Sequence, residues 1–124
     1  PRSTPSNSSA ASDVYKRQMK DRTRVSRSVV KRMREFHPKA LKLLKSLGFK
    51  IVWEKCISNR PYDIIAEKDG LTYYVDLKAP VCACKISVNE LKGMRRMSRR
   101  GIPVYLFMLP DGGYMFFKFK QFKQ

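Results

Sequence analysis

The chain is poor in the residues from which small proteins build staples and metal cages. It holds one histidine, His37, and three cysteines, Cys56, Cys82 and Cys84. A four-ligand structural zinc site would have to recruit acids, and a disulfide framework is not expected. There is no apolar run of about 18 residues, which excludes a spanning helix. Acids are scarce as well: 10 against 27 lysines and arginines, for a formal charge of +17 and a pI near 10.2. Hydrophobic residues, by contrast, reach an ordinary 43%, so the chain is not a disordered basic tail. Its 124 residues suit one domain. So large a cationic excess on a compact domain points to a polyanion, most simply nucleic acid, with an anionic membrane surface as the other possibility.

Residues 1–18 differ from the rest. Five serines and two prolines without apolar periodicity predict a disordered segment. It has no apolar core of the kind a secretory signal needs. Its last part, AASDVYKRQ, resembles a translated adapter scar, so Met19 is the expected natural start and 19–124 the expected single domain. The leader contributes Arg2, Lys16 and Arg17 against Asp13, so +15 remains on the body. With neither a secretory signal nor a spanning helix, the expected place is the cytoplasm.

Residues 25–47 carry a helical stripe of Val29, Val30, Met33, Phe36, Ala40, Leu41, Leu43, Leu44 and Leu47. Pro38 interrupts it, either kinking one helix or opening a second. Gly48 suits a C-cap. Phe49–Cys56 reads as a strand, followed by a polar loop through Ser58 and Arg60. Tyr62–Lys68 and Leu71–Lys78 are two strands joined by Asp69-Gly70, a strong hairpin signal. Ser87-Val88-Asn89-Glu90 forms a capping box that starts a helix running to about Arg100, with Val88, Leu91, Met94 and Met97 or Ser98 buried. Ile102–Leu109 is apolar throughout, as in a strand covered on both faces, and Tyr114–Phe119 closes the order α-β-β-β-α-β-β. The expected architecture is an α/β fold with a mixed sheet and helices on its faces. No internal repeat is present.

The hairpin carries the chemistry. With a two-residue loop, Lys68 faces Leu71, and counting outward brings Asp63 opposite Asp76. Facing side chains lie close, and like charges there are destabilising. The two-residue period puts Asp76 and Lys78 on one face and Tyr73, Val75 and Leu77 on the other. Two close carboxylates and a backbone carbonyl, that of Leu77, can hold Mg²⁺ with waters completing the octahedron. Lys78 would orient an attacking water or stabilise charge on a phosphate. The plain alternative is a solvated hairpin with a surface ion pair. Against it stands Asp76, an acid in the most apolar part of its strand.

Tyr62-Asp63, a 13-residue step and then Asp76-Leu77-Lys78 resemble the PD-(D/E)xK nuclease signature, with Tyr62 standing between Pro61 and the acid. Within that superfamily, the run from Lys45 to Phe122 is most similar to the archaeal Holliday junction resolvases. The shared features are the helix ending in Leu47-Gly48-Phe49, PYDIIAEKDG, the D-x-K strand, a helix opening near Glu90 and a short C-terminal strand pair. The resemblance covers roughly residues 24–122. It implies a restriction-endonuclease-like core and a Mg²⁺-dependent phosphodiesterase acting on branched DNA in recombination and repair, commonly as a homodimer; Mn²⁺ would substitute for Mg²⁺. By position, Asp63 and Asp76 would be metal ligands and Lys78 the catalytic lysine. The family also places an acid in the first helix, where this chain has His37, with Glu35 two residues earlier. Glu35 reaches the metal if Pro38 shifts the helix; otherwise it is a solvated helical residue. Ser58 sits in the loop where resolvases carry a serine.

Two basic clusters suit phosphate contact. Lys92, Arg95, Arg96, Arg99 and Arg100 lie on the second helix, and Lys31, Arg32 and Arg34 join Arg22, Arg24 and Arg27 near the N-terminus. Arg60, in the polar loop, is a further candidate. Cys82-x-Cys84 is one residue short of a metal or redox CxxC and reads as incidental thiols. His37 reads as a helix-start residue and Trp53 as core; Phe107, Tyr114, Phe116, Phe117 and Phe119 could stack on bases, but their alternating strand positions read mostly as core or dimer surface. Other readings remain: a superfamily nuclease acting on single strands or ends, or a non-catalytic nucleic-acid-binding module.

Overall fold

A computed structural model describes residues 7–80 and 83–122, with side chains from Arg27 onward. The elements are α1 (Asn7–Ser46), β1 (Lys50–Glu54), β2 (Ile64–Lys68), β3 (Leu71–Lys78), α2 (Val88–Met97), β4 (Ile102–Met108) and β5 (Tyr114–Lys118). This is the order expected from the sequence. Helix α1 begins at Asn7, inside the stretch whose composition reads as unstructured; no proline follows Pro5 there. The chain divides into two units, Pro1–Lys31 and Arg32–Gln124. The first carries the N-terminal part of α1, and the second carries everything that follows.

The second unit is built on one five-stranded sheet in sequence order, β1 to β5. Strands β3 and β4 run parallel and every other pair is antiparallel. The sheet is therefore mixed, as expected, with the apolar strand β4 inside it. The hairpin turn has Asp69 at φ 53° and Gly70 at φ 76°, the pair of positive values that a type I′ turn requires. That turn sets Lys68 opposite Leu71 and carries the register to Ile64 opposite Val75.

Alternation splits β3 as predicted. Tyr73, Val75 and Leu77 are buried with Ile64, Ala66, Val104, Leu106 and Met108 under one face, where Met33, Phe36, Ala40 and Leu44 of α1 cover them. A fully buried leucine such as Leu44 contributes about 1.5–3 kcal/mol. That burial explains why α1 continues through Pro38, neither ending nor restarting there. A proline inside a helix costs about 3 kcal/mol, and the stripe on both sides of it offsets that cost. His37 consequently lies in mid-helix, buried, with its Nε2 2.7 Å from Glu54 Oε1 on β1. It is a tether between helix and sheet and not a helix-start residue. The helix ends in a Schellman motif: Phe49 N–H donates to Leu44 O at 2.9 Å and Gly48 N–H to Lys45 O at 3.1 Å, with Gly48 at φ 92°.

Helix α2 lies on the other face and is rotated from the expected stripe. Val88 is 67% exposed and Leu91 42%, while Gly93, Met94 and Met97 are buried. A Cβ on Gly93 would stand 3.0 Å from the Pro61 ring, so glycine lets the helix settle close to the loop before β2. The inward row is thus Glu90, Gly93, Met94 and Met97. The helix also stops at Met97, a turn short of Arg100. Trp53 is only partly buried: it packs edge-on against Tyr62 with ring centres 5.6 Å apart.

Candidate active site

The face of β3 turned toward α2 carries Asp76 and Lys78. Parallel pairing sets Asp76 beside Tyr105 and Lys78 beside Phe107 on β4. Lys78 Nζ lies 3.2 Å from Asp76 Oδ2 and 2.6 Å from Glu90 Oε2. Arg60, Pro61 and Tyr105 join these three around a cleft of about 210 Å³.

Asp63 reaches the same place from the other strand of the hairpin. The regular ladder ends at Ile64, and Asp63 N–H then donates to Val75 O at 2.8 Å. Its side chain is held from two sides: Leu77 N–H donates to Oδ2 at 3.0 Å and Ser58 N–H to Oδ1 at 3.4 Å. Ser58 in turn donates its hydroxyl to Tyr62 O, which closes the loop around Asp63. Ile57, just before it, takes the left-handed φ of 61°, an uncommon conformation for a β-branched residue. Asp63 is 5% exposed and lies close enough to Asp76 for the two carboxyls to act on each other. The hairpin geometry read from the sequence does bring the two acids together.

Their proximity shows in Asp76, whose pKa is raised from 3.8 to about 8. Burial is the main cause and the Asp63 charge adds to it, while Lys78 pulls the other way. Burial lowers the pKa of Lys78, but Asp76 and Glu90 outweigh that, so its ammonium is held firmly protonated. A pair of acids this close, flanked by a fixed cation, is a donor set suited to Mg²⁺, which takes one or two carboxylates and keeps several waters. Leu77 meets the pair through its backbone N–H, which is committed to Asp63.

Glu35 is not drawn into the group. Its side chain is 61% exposed and pairs with Lys39 at 3.7 Å along α1. Among the described residues, no three His, Cys, Asp or Glu side chains converge as a metal cage. The acid that does arrive is Glu90, which the capping-box reading assigned to the helix start. Only half of that box forms: Ser87 Oγ accepts from Glu90 N–H at 3.1 Å, while the Glu90 carboxylate turns to Lys78. Nothing local marks this role: only the rotation of α2 in the fold sets Glu90 at the head of the row that continues through Met94 to Met97.

Tyr105, which no sequence motif singles out, stands at the cleft wall. It is 6% exposed, and among the described residues no group hydrogen-bonds its buried hydroxyl. Burial, with Glu90 and Asp76 nearby and Lys78 opposing, pushes its phenol up to about 12.

The cationic candidates have different surroundings. Arg60 is held over the Trp53 ring at 5.2 Å, with its Nη1 3.3 Å from Tyr62 Oη. Lys92, Arg95, Arg96 and Arg99 line a separate groove of about 370 Å³ on α2, and Arg100 is exposed in the turn beyond. Arg32 donates to Ala79 O at 3.4 Å, just past the end of β3, and Arg34 is exposed. Arg22, Arg24, Arg27 and Lys31 belong to the first unit. Cys56 and Cys84 are free thiols, and burial, with Asp63 adding, raises the pKa of Cys56. The Cys82 half of the Cys82-x-Cys84 pair lies outside the described residues.

No family model matches the chain, and no curated protein matches it. Among solved structures, it is similar to Archaeoglobus fulgidus Hjc, a Holliday junction resolvase from an archaeal hyperthermophile. The likeness has a TM-score of 0.56 at 21% identity and covers 68% of this chain and 74% of that one. At this identity it is a likeness of fold, and it bears out the restriction-endonuclease-like core: the chain has the mixed-sheet fold of an archaeal Holliday junction resolvase.

Proposed function

We propose that the protein is a Mg²⁺-dependent endonuclease that hydrolyses DNA phosphodiester bonds, with four-way or otherwise branched junctions as its substrate. The observation that carries this reading is the convergence of Asp76, Lys78 and Glu90 at one cleft, with Asp63 buried next to Asp76 and a separate arginine-lined groove at α2. Asp63 and Asp76 are the residues that would hold the metal, and Mn²⁺ would replace Mg²⁺ there. The chemistry Mg²⁺ supplies when bound is polarisation of the scissile phosphate and a lowered pKa for a coordinated water. Lys78, fixed by Glu90, orients the attacking water and offsets charge that develops on the phosphate. Lys92, Arg95, Arg96 and Arg99 hold backbone phosphates beside the cut, and such contacts position a strand without reading its sequence. Arg60, preorganised on Trp53, extends that hold to the other side. Action as a homodimer would place two such clefts on a four-way junction; exposed Tyr114, Met115 and Phe117 on the edge strand β5 are suited to that contact.

The test is cleavage of labelled four-way, flapped and linear DNA in Mg²⁺ by wild type and Asp63→Ala. Junction-selective cutting by wild type, lost in the variant, supports the reading. Cutting of ends or single strands alone would move the protein to another nuclease activity of the same fold. A non-catalytic nucleic-acid-binding module has one observation in its favour, the exposed position of Glu35 outside the acid pair. Tight, salt-sensitive binding without cleavage in either Mg²⁺ or Mn²⁺ would establish it.

A further inference from the structure

One residue of the cleft lining carries a buried polar atom that no described residue hydrogen-bonds. Buried tyrosine hydroxyls ordinarily find a hydrogen-bond partner, because an unpaired one loses its hydration without replacement. Among the described residues Tyr105 Oη has no hydrogen-bond partner, although three charged side chains stand near it. The ring itself is accounted for: it packs against Phe107 with centres 6.1 Å apart, on the strand face shared with Asp76. Phenylalanine would make the same ring contacts and strand nothing. The hydroxyl is therefore an unfavourable feature of the empty fold, and such features concentrate at sites where a ligand satisfies them.

We propose that Tyr105 is a further substrate-contacting residue, which donates a hydrogen bond from Oη to a non-bridging phosphate oxygen of the strand bound in the cleft. The proposal rests on the nuclease reading above and adds to it a neutral donor. Three features point to an anionic oxygen. A tyrosine hydroxyl carries a proton that it can donate, unlike the carboxylates beside it. The carboxylates that would otherwise accept from it are turned to Lys78, at 3.2 Å for Asp76 and 2.6 Å for Glu90. Lys78 Nζ lies 5.8 Å from the centre of the Tyr105 ring, near enough for one phosphate to give an oxygen to each donor. A neutral donor at this point stabilises charge that builds on the phosphate without competing with the metal for the carboxylates.

The deciding variant is Tyr105→Phe in the full chain, which removes one oxygen and keeps the ring. Single-turnover cleavage of a four-way junction in Mg²⁺ should slow by about 10- to 100-fold, the scale of losing one preorganised donor. Binding of the same junction in Ca²⁺ should weaken by about 3- to 10-fold, as one charge-assisted hydrogen bond among many is lost. The melting temperature should hold or rise, since the variant no longer buries an unpaired hydroxyl. A phosphorothioate at the scissile position adds a readout that packing cannot mimic. Sulfur at the oxygen that Tyr105 contacts should slow wild type more than Tyr105→Phe. Unchanged binding and cleavage, equal sulfur effects in both proteins, or a loss of activity that tracks a lower melting temperature would each overturn the proposal. Wild type that binds without cutting would sink the nuclease reading instead, and the Ca²⁺ binding arm would still decide Tyr105.

Discussion

Lys78 Nζ is closer to Glu90 on the following helix, at 2.6 Å, than to Asp76 on its own strand, at 3.2 Å. Two residues 12 positions apart thus form the tightest ion pair of the cleft. Glu90 therefore shares the lysine with Asp76 and holds it from the side of α2. Replacing Glu90 with alanine lets Lys78 fall back onto Asp76. Cleavage should drop about 10- to 100-fold, as misplaced catalytic groups commonly cost, and half-saturation with Mg²⁺ should move to higher concentration. Glu90→Gln should lie between. The helix start survives both changes, because Ser87 caps it through the Glu90 backbone N–H. Kinetics across a Mg²⁺ series, beside melting curves, check this; equal rates in all three proteins would remove Glu90 from the site.

The raised pKa of Asp76 makes stability depend on pH in a stated direction. In the unfolded chain this group titrates near its ordinary 3.8, and in the folded protein near 8. Between those values the native state holds a proton that the unfolded state has released, so metal-free stability falls as pH rises through that window. Asp76→Asn removes the dependence. Its melting temperature should match wild type near the acid end and exceed it by a growing margin toward the alkaline end. Thermal melts in chelator across that range provide the measurement, and a constant offset would contradict it. The same variant should lose Mg²⁺-dependent cleavage while still binding the junction.

The groove on α2 predicts a salt effect and not a sequence effect. Arg95, in the last turn of α2, and Arg99, in the turn that follows the helix, both line its wall. If each neutralises one phosphate, replacing both with alanine should reduce the slope of log affinity against log salt by roughly 2, at about 0.9 per contact. Affinities for junctions of different sequence should fall together. Fluorescence anisotropy titrations at several salt concentrations give that slope, and a variant with the wild-type slope would place the DNA elsewhere.

Gly101 joins α2 to β4 where there is no room for a side chain. A Cβ there would stand 2.5 Å from Thr72 O and 2.8 Å from the Tyr74 ring. The first neighbour is backbone and cannot swing aside. Gly101→Ala should therefore destabilise the protein by about 1–3 kcal/mol, the usual cost of overpacking. A lower urea midpoint with an unchanged slope would show it.

The elements that were legible in the sequence are those governed by short-range rules. Asp69-Gly70 dictates a two-residue turn, the turn dictates register, and register brings Asp63 to Asp76; each step spans a few residues. The Gly48 cap and the inward alternation of Tyr73, Val75 and Leu77 follow in the same way. Pro38 shows where such rules lose: its local preference for breaking a helix is outweighed by Phe36, Ala40 and Leu44 packing on a sheet formed much later in the chain.

The site was half legible for the same reason. Acid pair and lysine were readable because a hairpin sets them against each other. Glu90 and Tyr105 were not, because their roles depend on how α2 is rotated and on which strand lies beside β3. A capping box describes a helix start but says nothing of where a free carboxylate will point. The sequence by itself determined the hairpin, its paired acids and the cationic excess, since periodicity, turn chemistry and charge act locally. Only the tertiary structure decided that Glu90, and not Glu35, stands beside Lys78 and that Tyr105 walls the cleft, since helix rotation and parallel strand pairing minimise the energy of contacts between distant segments.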